Sequence, residues 1–269
     1  MKSINKIILL KLGGGLLTDK NKPFSIREDA AKSAVQQIIE ANEKVILIHG
    51  GGSFGHPLAK KYGISKGIDK SIPDQILGLA ETHQSMNKFN SYLINLFLEK
   101  KYPALSIQAS SIFIKDSHLI STQSIDMIET ALDLNILPIL YGDIILDKQG
   151  SFSIISGDEI ILELCENLKK YSVSKVIFTM ETDGLYINDK NSNCILATEC
   201  YSDQLESLKL ADLGKKIDVT GGIEGKLNFI KKICNYNIPV QLINGLKEEY
   251  IYMSLKNQKI NCTNVLINK

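Results

Sequence analysis

The chain has 269 residues, 44% of them hydrophobic and 23% charged, which is enough apolar material for one large α/β domain or two small ones. Its 31 basic and 30 acidic residues leave a formal net charge of +1, without the basic excess of a nucleic-acid-binding domain, so any anion site must come from a few gathered lysines. Five cysteines with no C-x-x-C pair argue against a disulfide frame and fit the reduced thiols of a cytoplasmic protein.

The first apolar run, residues 6–12, reads as a strand. Its uninterrupted part, Ile7 to Leu10, is too short for a signal-peptide core, and no later stretch is long enough to span a membrane. KLGGGLLTDK follows, from Lys11 to Lys20. An amphipathic segment over 26–41 then opens with the capping-box pattern Ser25 and Glu28. A second strand, 44–49, runs into IHGGGSFGH, where Gly50, Gly51, Gly52 and Gly55 lie between His49 and His56. Beyond a polar loop come a long helix over 74–100 and a strand over 104–108. A hairpin over 112–120 turns on KDSH, and is followed by a helix over 124–135 and a strand over 136–141. A second hairpin, 144–155, turns on DKQG, and a helix over 157–170 opens with a second capping-box pattern, Ser156 and Glu159. A strand over 175–179, a helix over 221–237 and a strand over 239–243 complete the series.

The strands are continuously apolar rather than alternating, as expected when both faces are covered. Alternation of strands with helices predicts a three-layer αβα sandwich around a mainly parallel sheet. No repeat, low-complexity tract or linker divides it, so residues 1–269 read as one domain with two lobes.

Three glycine clusters stand at strand-to-helix junctions: KLGGG, HGGGSFG and DVTGGIEGKL. At such turns bare backbone N–H groups approach an anion closely, and the helix N-terminus adds partial positive charge. A single cluster would be a tight turn and no more; three, each with a lysine or histidine attached, point to phosphates. GGGSFG satisfies G-x-G-x-x-G through Gly50, Gly52 and Gly55, but the acidic residues that follow, Asp69 and Asp74, lie in a polar loop and not at a strand end, against a dinucleotide fold. GGIEGKL is not a Walker A motif, since Thr220 stands at the first glycine position and Leu227 at the Ser/Thr position. Lys11 closes a strand beside glycines, Lys20 ends the same loop, and Lys226 sits early in a helix, where a cation opposes the macrodipole unless an anion is near. Exposed lysines are ordinarily solvated surface, and Lys20 fits that reading nearly as well.

With those residues the chain resembles the amino acid kinase family, and within it the branch of isopentenyl phosphate and fosfomycin kinases. The resemblance covers nearly the whole length and rests on KLGG, HGGGSFGHPLAKKYG, LYGDIILD, ISGDEI, FTMETDGLY and DVTGGIEGKL. Gly15 departs from it, standing where the family commonly has a serine, so that a hydroxyl to phosphate is lost. The resemblance implies the αβα sandwich, with the acceptor over the N-terminal half and ATP over the C-terminal half. It assigns Lys11, Gly13, Gly14 and the adjacent Gly15 to the loop around the transferred phosphoryl group, and Lys20 to transition-state stabilisation. Gly51, Gly52, His56 and Gly157 correspond to acceptor-phosphate contacts, with Gly52 also beside the nucleotide phosphates. Asp183, Gly221, Gly222 and Lys226 correspond to nucleotide-binding positions, and Asp158 to the aspartate that orients the lysines.

The implied reaction is ATP-dependent phosphorylation of isopentenyl phosphate to isopentenyl diphosphate. Mg²⁺ is expected to arrive with ATP, since the motifs supply no carboxylate cage and no protein metal site. A homodimer, and no nucleic-acid or membrane partner, are likewise expected. His49 reads as structural and His118 as a turn residue, while His83, among Leu79, Met86, Leu93 and Phe97, reads as core or as a wall of the acceptor-tail pocket. Fosfomycin kinase and a non-catalytic nucleotide sensor are the rival readings. A carboxylate acceptor would favour a bidentate arginine, and the named loops carry none.

Overall fold

The computed structural model describes residues 5–19, 21–117, 119–122, 124–189, 191–211 and 222–267. Its central element is an eight-stranded sheet. In chain order the strands are β1 (Asn5–Leu12), β2 (Val45–His49), β3 (Ala104–Ser106), β6 (Leu137–Tyr141), β9 (Tyr171–Met180), β12 (Glu199–Tyr201), β13 (Val240–Asn244) and β14 (Thr263–Leu266). Across the sheet they run β12-β14-β13-β9-β1-β2-β6-β3. All pairings are parallel except β13 with β14.

Both faces of the sheet are covered, and β1 shows how. Ile7 and Leu9 join a core with α5 (Asp126–Asp133), α6 (Gly157–Asn167) and α7 (Gly222–Cys234), through Ile128, Leu132, Ile161, Leu164, Ile230 and Ile233. Ile8 and Leu10, one residue out of phase, join the opposite core with α2 (Glu28–Ala41), α4 (Gln75–Glu99) and α8 (Tyr250–Leu255). Because successive side chains point to opposite faces, a strand buried on both must be apolar at every position, which is why its run is continuous. The αβα layering is therefore as expected.

Two further small helices belong to the site region: α1 (Gly14–Leu17) directly after β1, and α3 (Gly52–Lys61) directly after β2. The two expected hairpins, β4 (Phe113–Asp116) with β5 (Leu119–Thr122) and β7 (Asp143–Asp147) with β8 (Ser151–Ile155), are antiparallel and join into a separate four-stranded sheet. A short hairpin of β10 (Tyr186–Asn188) and β11 (Cys194–Leu196) lies outside both sheets. No described helix is long and apolar enough to cross a membrane.

Ser156 and Glu159 form the expected reciprocal capping box at α6. Ser25 and Glu28 do not. The helix starts late, with Arg27 as its N-cap and no side-chain cap. Ser25 is held elsewhere, its N–H donating to Ser53 Oγ and its carbonyl accepting from that hydroxyl, both at 3.1 Å. Backbone bridges between Thr18 and Ile26 close the loop before a helical turn can begin.

Candidate active site

Lys11 continues the Ile7–Leu9 face of β1, so its side chain enters the layer occupied by α6 and α7. There its Nζ lies 2.6 Å from Asp158 Oδ1, at the first turn of α6. Lys226, from α7, reaches the same carboxylate at 3.2 Å from Oδ1 and 3.4 Å from Oδ2. The anion that the sequence position of Lys226 demanded is thus Asp158. Both ammonium groups also lie over the ring of Phe178 on β9, Lys226 at 4.8 Å and Lys11 at 5.8 Å from its centroid. Phe178 is register partner of Lys11.

Burial depresses the Lys11 ammonium to about 8, with the Asp158 carboxylate opposing the fall and the Lys226 charge adding to it. Burial acts on Asp158 in the direction of a raised value, but the two lysines outweigh it and hold the carboxyl at about 2. The cluster sets two lysine side chains against one carboxylate, a formal excess of one positive charge.

The first two glycine clusters interlock. They leave neighbouring parallel strands at the same sheet edge, Leu12 opposite His49, and this edge is the carboxyl end of β1, where the chain order reverses between β2 and β9. A Cβ on Gly14 would stand 2.5 Å from Gly52 N. Gly52 has φ +47°, and a Cβ there would meet Thr18 Oγ1 at 2.1 Å. Thr18 ties the loops, donating to Gly14 O at 2.7 Å and accepting from Ser53 N–H at 2.9 Å. Part of the glycine requirement is therefore mutual close approach and not phosphate binding alone. Gly157 has a similar explanation, since a Cβ would lie 3.1 Å from Lys11 Cε.

A cleft of about 670 Å³ opens over these elements. Lys11, Gly14, Gly15, Gly51, Gly52, His56, Gly157 and Asp158 all line it, and the N-terminal ends of α3 and α6 face it with their partial positive charge. Thr82 and Met86 of α4, with Asp143 and Ile144 of β7, form a further wall.

Other candidates lie apart. Gly13 does not line the cleft: its N–H donates to Thr179 Oγ1 at 3.1 Å. Asp183 also lies outside it, just past the end of β9, paired with Lys247 at 2.9 Å and accepting from Asn244 Nδ2 at 3.0 Å. Burial works against the charge on Asp183, but those two partners hold its carboxyl below the ordinary range. Gly222 opens α7. Lys20, Gly221 and His118 lie outside the described residues. His49 is buried and structural, within 3.2 Å of Asn90 Oδ1 and stacked on Tyr141. Among described residues no group of three His, Cys, Asp or Glu is gathered as for a metal ion. Sequence reasoning missed Thr18, Ser53, Phe178 and Asp143; Asp143 alone had a signal, the LYGD run at a strand end.

A model of the amino acid kinase family matches residues 6–244. The chain is 34% identical over 259 residues to the isopentenyl phosphate kinase of Methanocaldococcus jannaschii, covering 93% of this chain and 95% of that one. It is 28% identical over 265 residues to that of Methanothermobacter thermautotrophicus, covering 96% and 98%. An X-ray structure of isopentenyl phosphate kinase superposes with a TM-score of 0.79 at 26% identity, covering 96% of this chain and 100% of that one.

Proposed function

The chain belongs to the amino acid kinase family, and on that premise we propose that it transfers the γ-phosphoryl group of ATP to isopentenyl phosphate, giving isopentenyl diphosphate and ADP. The observation that carries this reading is one cleft lined by Lys11, Asp158, both interlocked glycine loops and His56, with Lys226 reaching Asp158 from outside its lining.

The difficulty in such a reaction is charge. Unit charges about 4 Å apart repel by about 4 kcal/mol at an effective dielectric of about 20. An excess of positive charge fixed by Asp158 offsets that repulsion and stabilises the equatorial oxygens of a loose transition state. An oxygen of the acceptor phosphate bonds to the γ-phosphorus as the bond from that phosphorus to the bridging oxygen breaks, and ADP leaves with the electron pair. The second ionisation of a phosphate ester lies near about 6, so the nucleophile is already an anion and needs no general base. Asp158, with both oxygens facing lysines, is suited to orienting them and not to accepting a proton. Mg²⁺ fits this reading as the counter-ion of ATP, held by phosphates and water.

In this proposal the acceptor phosphate is gripped by His56 with Gly51, Gly52 and Gly157, on the α3 side. Lys11, Gly14, Gly15 and Lys226 face the nucleotide phosphates, and Asp183 serves the nucleotide from beyond the cleft. Lys20 keeps a transition-state role on the resemblance. A cytoplasmic homodimer belongs to the same proposal.

A coupled ADP-release assay with Mg-ATP, comparing isopentenyl phosphate with fosfomycin, tests it. Isopentenyl phosphate should turn over with kcat/KM of about 10⁴ M⁻¹s⁻¹ or more, within the usual enzyme range, and His56→Ala should raise the acceptor KM and leave the ATP KM in place. A preference for fosfomycin would move the function to the rival branch; an unchanged acceptor KM in His56→Ala would remove the histidine from the site.

A further inference from the structure

The inward face of α4 is apolar over most of its length, through Met86, Phe89, Leu93 and Phe97, yet His83, Asn87 and Asn90 interrupt it at helical spacing. Two of these belong to a chain of side chains that the phosphoryl chemistry does not use. The Tyr141 hydroxyl, from β6, donates to Asn87 Oδ1. Asn87 Nδ2 faces His83 Nε2 at 3.1 Å, and His83 Nδ1 faces Asp143 Oδ1, on β7, at 2.7 Å.

The chain has a direction. The amide oxygen of Asn87 can only accept, so its nitrogen is turned to His83. Nε2 must then accept, and the single proton of a neutral ring lies on Nδ1, aimed at Asp143. Asp143 is 2% exposed and lines the cleft; its Oδ1 accepts from His83 and from the Ile144 N–H at 2.8 Å, while Oδ2 has no hydrogen-bond partner among the described residues. His83 is therefore the side chain that fixes this carboxylate, and through it the start of β7 against the helix that brings Thr82 and Met86 to the cleft.

We propose that His83 and Asp143 are positioning residues for the acceptor, holding the wall between α4 and β7 in its binding geometry only while His83 is neutral. This rests on the reading of the cleft as the acceptor site. A second proton, on Nε2, sets two donors face to face at a 3.1 Å separation. Asn87 must then turn over, which puts its nitrogen on the Tyr141 hydroxyl, breaks the hydrogen bond from that hydroxyl to the amide oxygen and leaves Tyr141 to the Ser106 side chain.

The hydrogen bond from Asp143 raises the His83 value above its ordinary 6.5, with burial opposing and the charge of Asp143 adding to the rise. Protonation thus comes as the pH falls through a point above 6.5. Asp143 is the charged group that bears on the ring. Tyr141 reaches it only through Asn87. Lys60 and Lys61 of α3, Lys66 beyond it, and Glu81 and Lys88 of α4 itself are exposed, and Lys61 and Glu81 are engaged with Tyr62.

Two variants test this. His83→Asn keeps a donor toward Asp143 but cannot titrate, and Asn87→Asp offers only acceptors and so favours the protonated ring. The acceptor KM of wild type, divided by that of His83→Asn, should rise about threefold to tenfold from about pH 8 to about pH 6, the worth of one neutral hydrogen bond. The matching ratios for ATP KM and kcat should stay flat. Taking the ratio cancels the titration of the phosphate ester itself. Asn87→Asp gives both the protonated ring and the Tyr141 hydroxyl an acceptor, so its acceptor KM divided by that of His83→Asn should stay level from about pH 8 to about pH 6. Flat wild-type ratios, or an Asn87→Asp ratio that rises with acid as the wild-type ratio does, would overturn the proposal. Nitrogen-15 spectra of the imidazole in the ligand-free protein give a readout that needs no substrate: the neutral His83 ring should carry its proton on Nδ1, and an Nε2–H tautomer would sink the chain. If wild type itself fails to use isopentenyl phosphate, it is the acceptor reading that falls; if wild type works and the variant comparison is flat, it is the positioning role.

Discussion

Lys11 is held near 8 because burial pulls its ammonium down and Asp158 holds it up. If the reaction needs that cation, kcat/KM falls as the pH rises through about 8. Asp158→Asn removes the supporting charge and leaves burial and Lys226 unopposed, so the descending limb should move to lower pH. Loss of the aligned charge should also lower kcat by about 10²–10³, the scale for a preorganised transition-state donor. Paired pH–rate profiles of wild type and Asp158→Asn check both; superimposable limbs would mean that Lys11 acts only as a structural cation. His49 and His83 show how far environment separates identical residues. The first is enclosed by Phe89 and Tyr141 and pushed down to about 4 by burial, while the second, half-buried beside a carboxylate, is raised.

The two glycine loops form one unit at the level of elements. The helices α1 and α3 begin within contact of each other, and Thr18 closes the gap between them. Gly52→Ala would place a methyl against Thr18 Oγ1 at a left-handed backbone position. That conformation alone costs an L-residue about 1–2 kcal/mol, and relief of the clash must move one loop off the other. Thermal denaturation should show a Tm lower by several degrees, with acceptor and ATP KM both raised. A variant with wild-type Tm and only one KM changed would argue against the loops acting together. The capping boxes teach a related lesson. Ser156 and Glu159 need only each other and the helix, and they form. Ser25 had a competitor, the Ser53 hydroxyl carried in by α3, which no local pattern could reveal.

For the whole molecule, the neutral His49 makes folding sensitive to acid. Its value is about 4 folded against 6.5 in the open chain, so below about 6.5 unfolding takes up a proton and stability falls, until the folded state also protonates near 4. That span corresponds to roughly 3 kcal/mol at full development. His83, whose value is raised, acts in the opposite sense. Urea midpoints across this range should therefore fall more steeply with acid in wild type than in His49→Gln. Parallel curves would show that His49 does not control acid stability.

Much of the molecule was legible in the sequence because it depends on neighbours a few residues apart. Continuous apolar runs required strands buried on both faces, turn residues marked both hairpins, and glycines at strand ends marked the two loops that meet at the cleft. What the sequence left open was which helix covers which strand, since that is settled by packing between segments far apart in the chain. Only the tertiary structure set Lys11 and Lys226 on one carboxylate, 147 and 68 residues away respectively. The same packing moved Asp183 outside the cleft and turned His83 onto Asp143, because contacts at that range are fixed by whole layers closing on the sheet and not by any pattern within one of them.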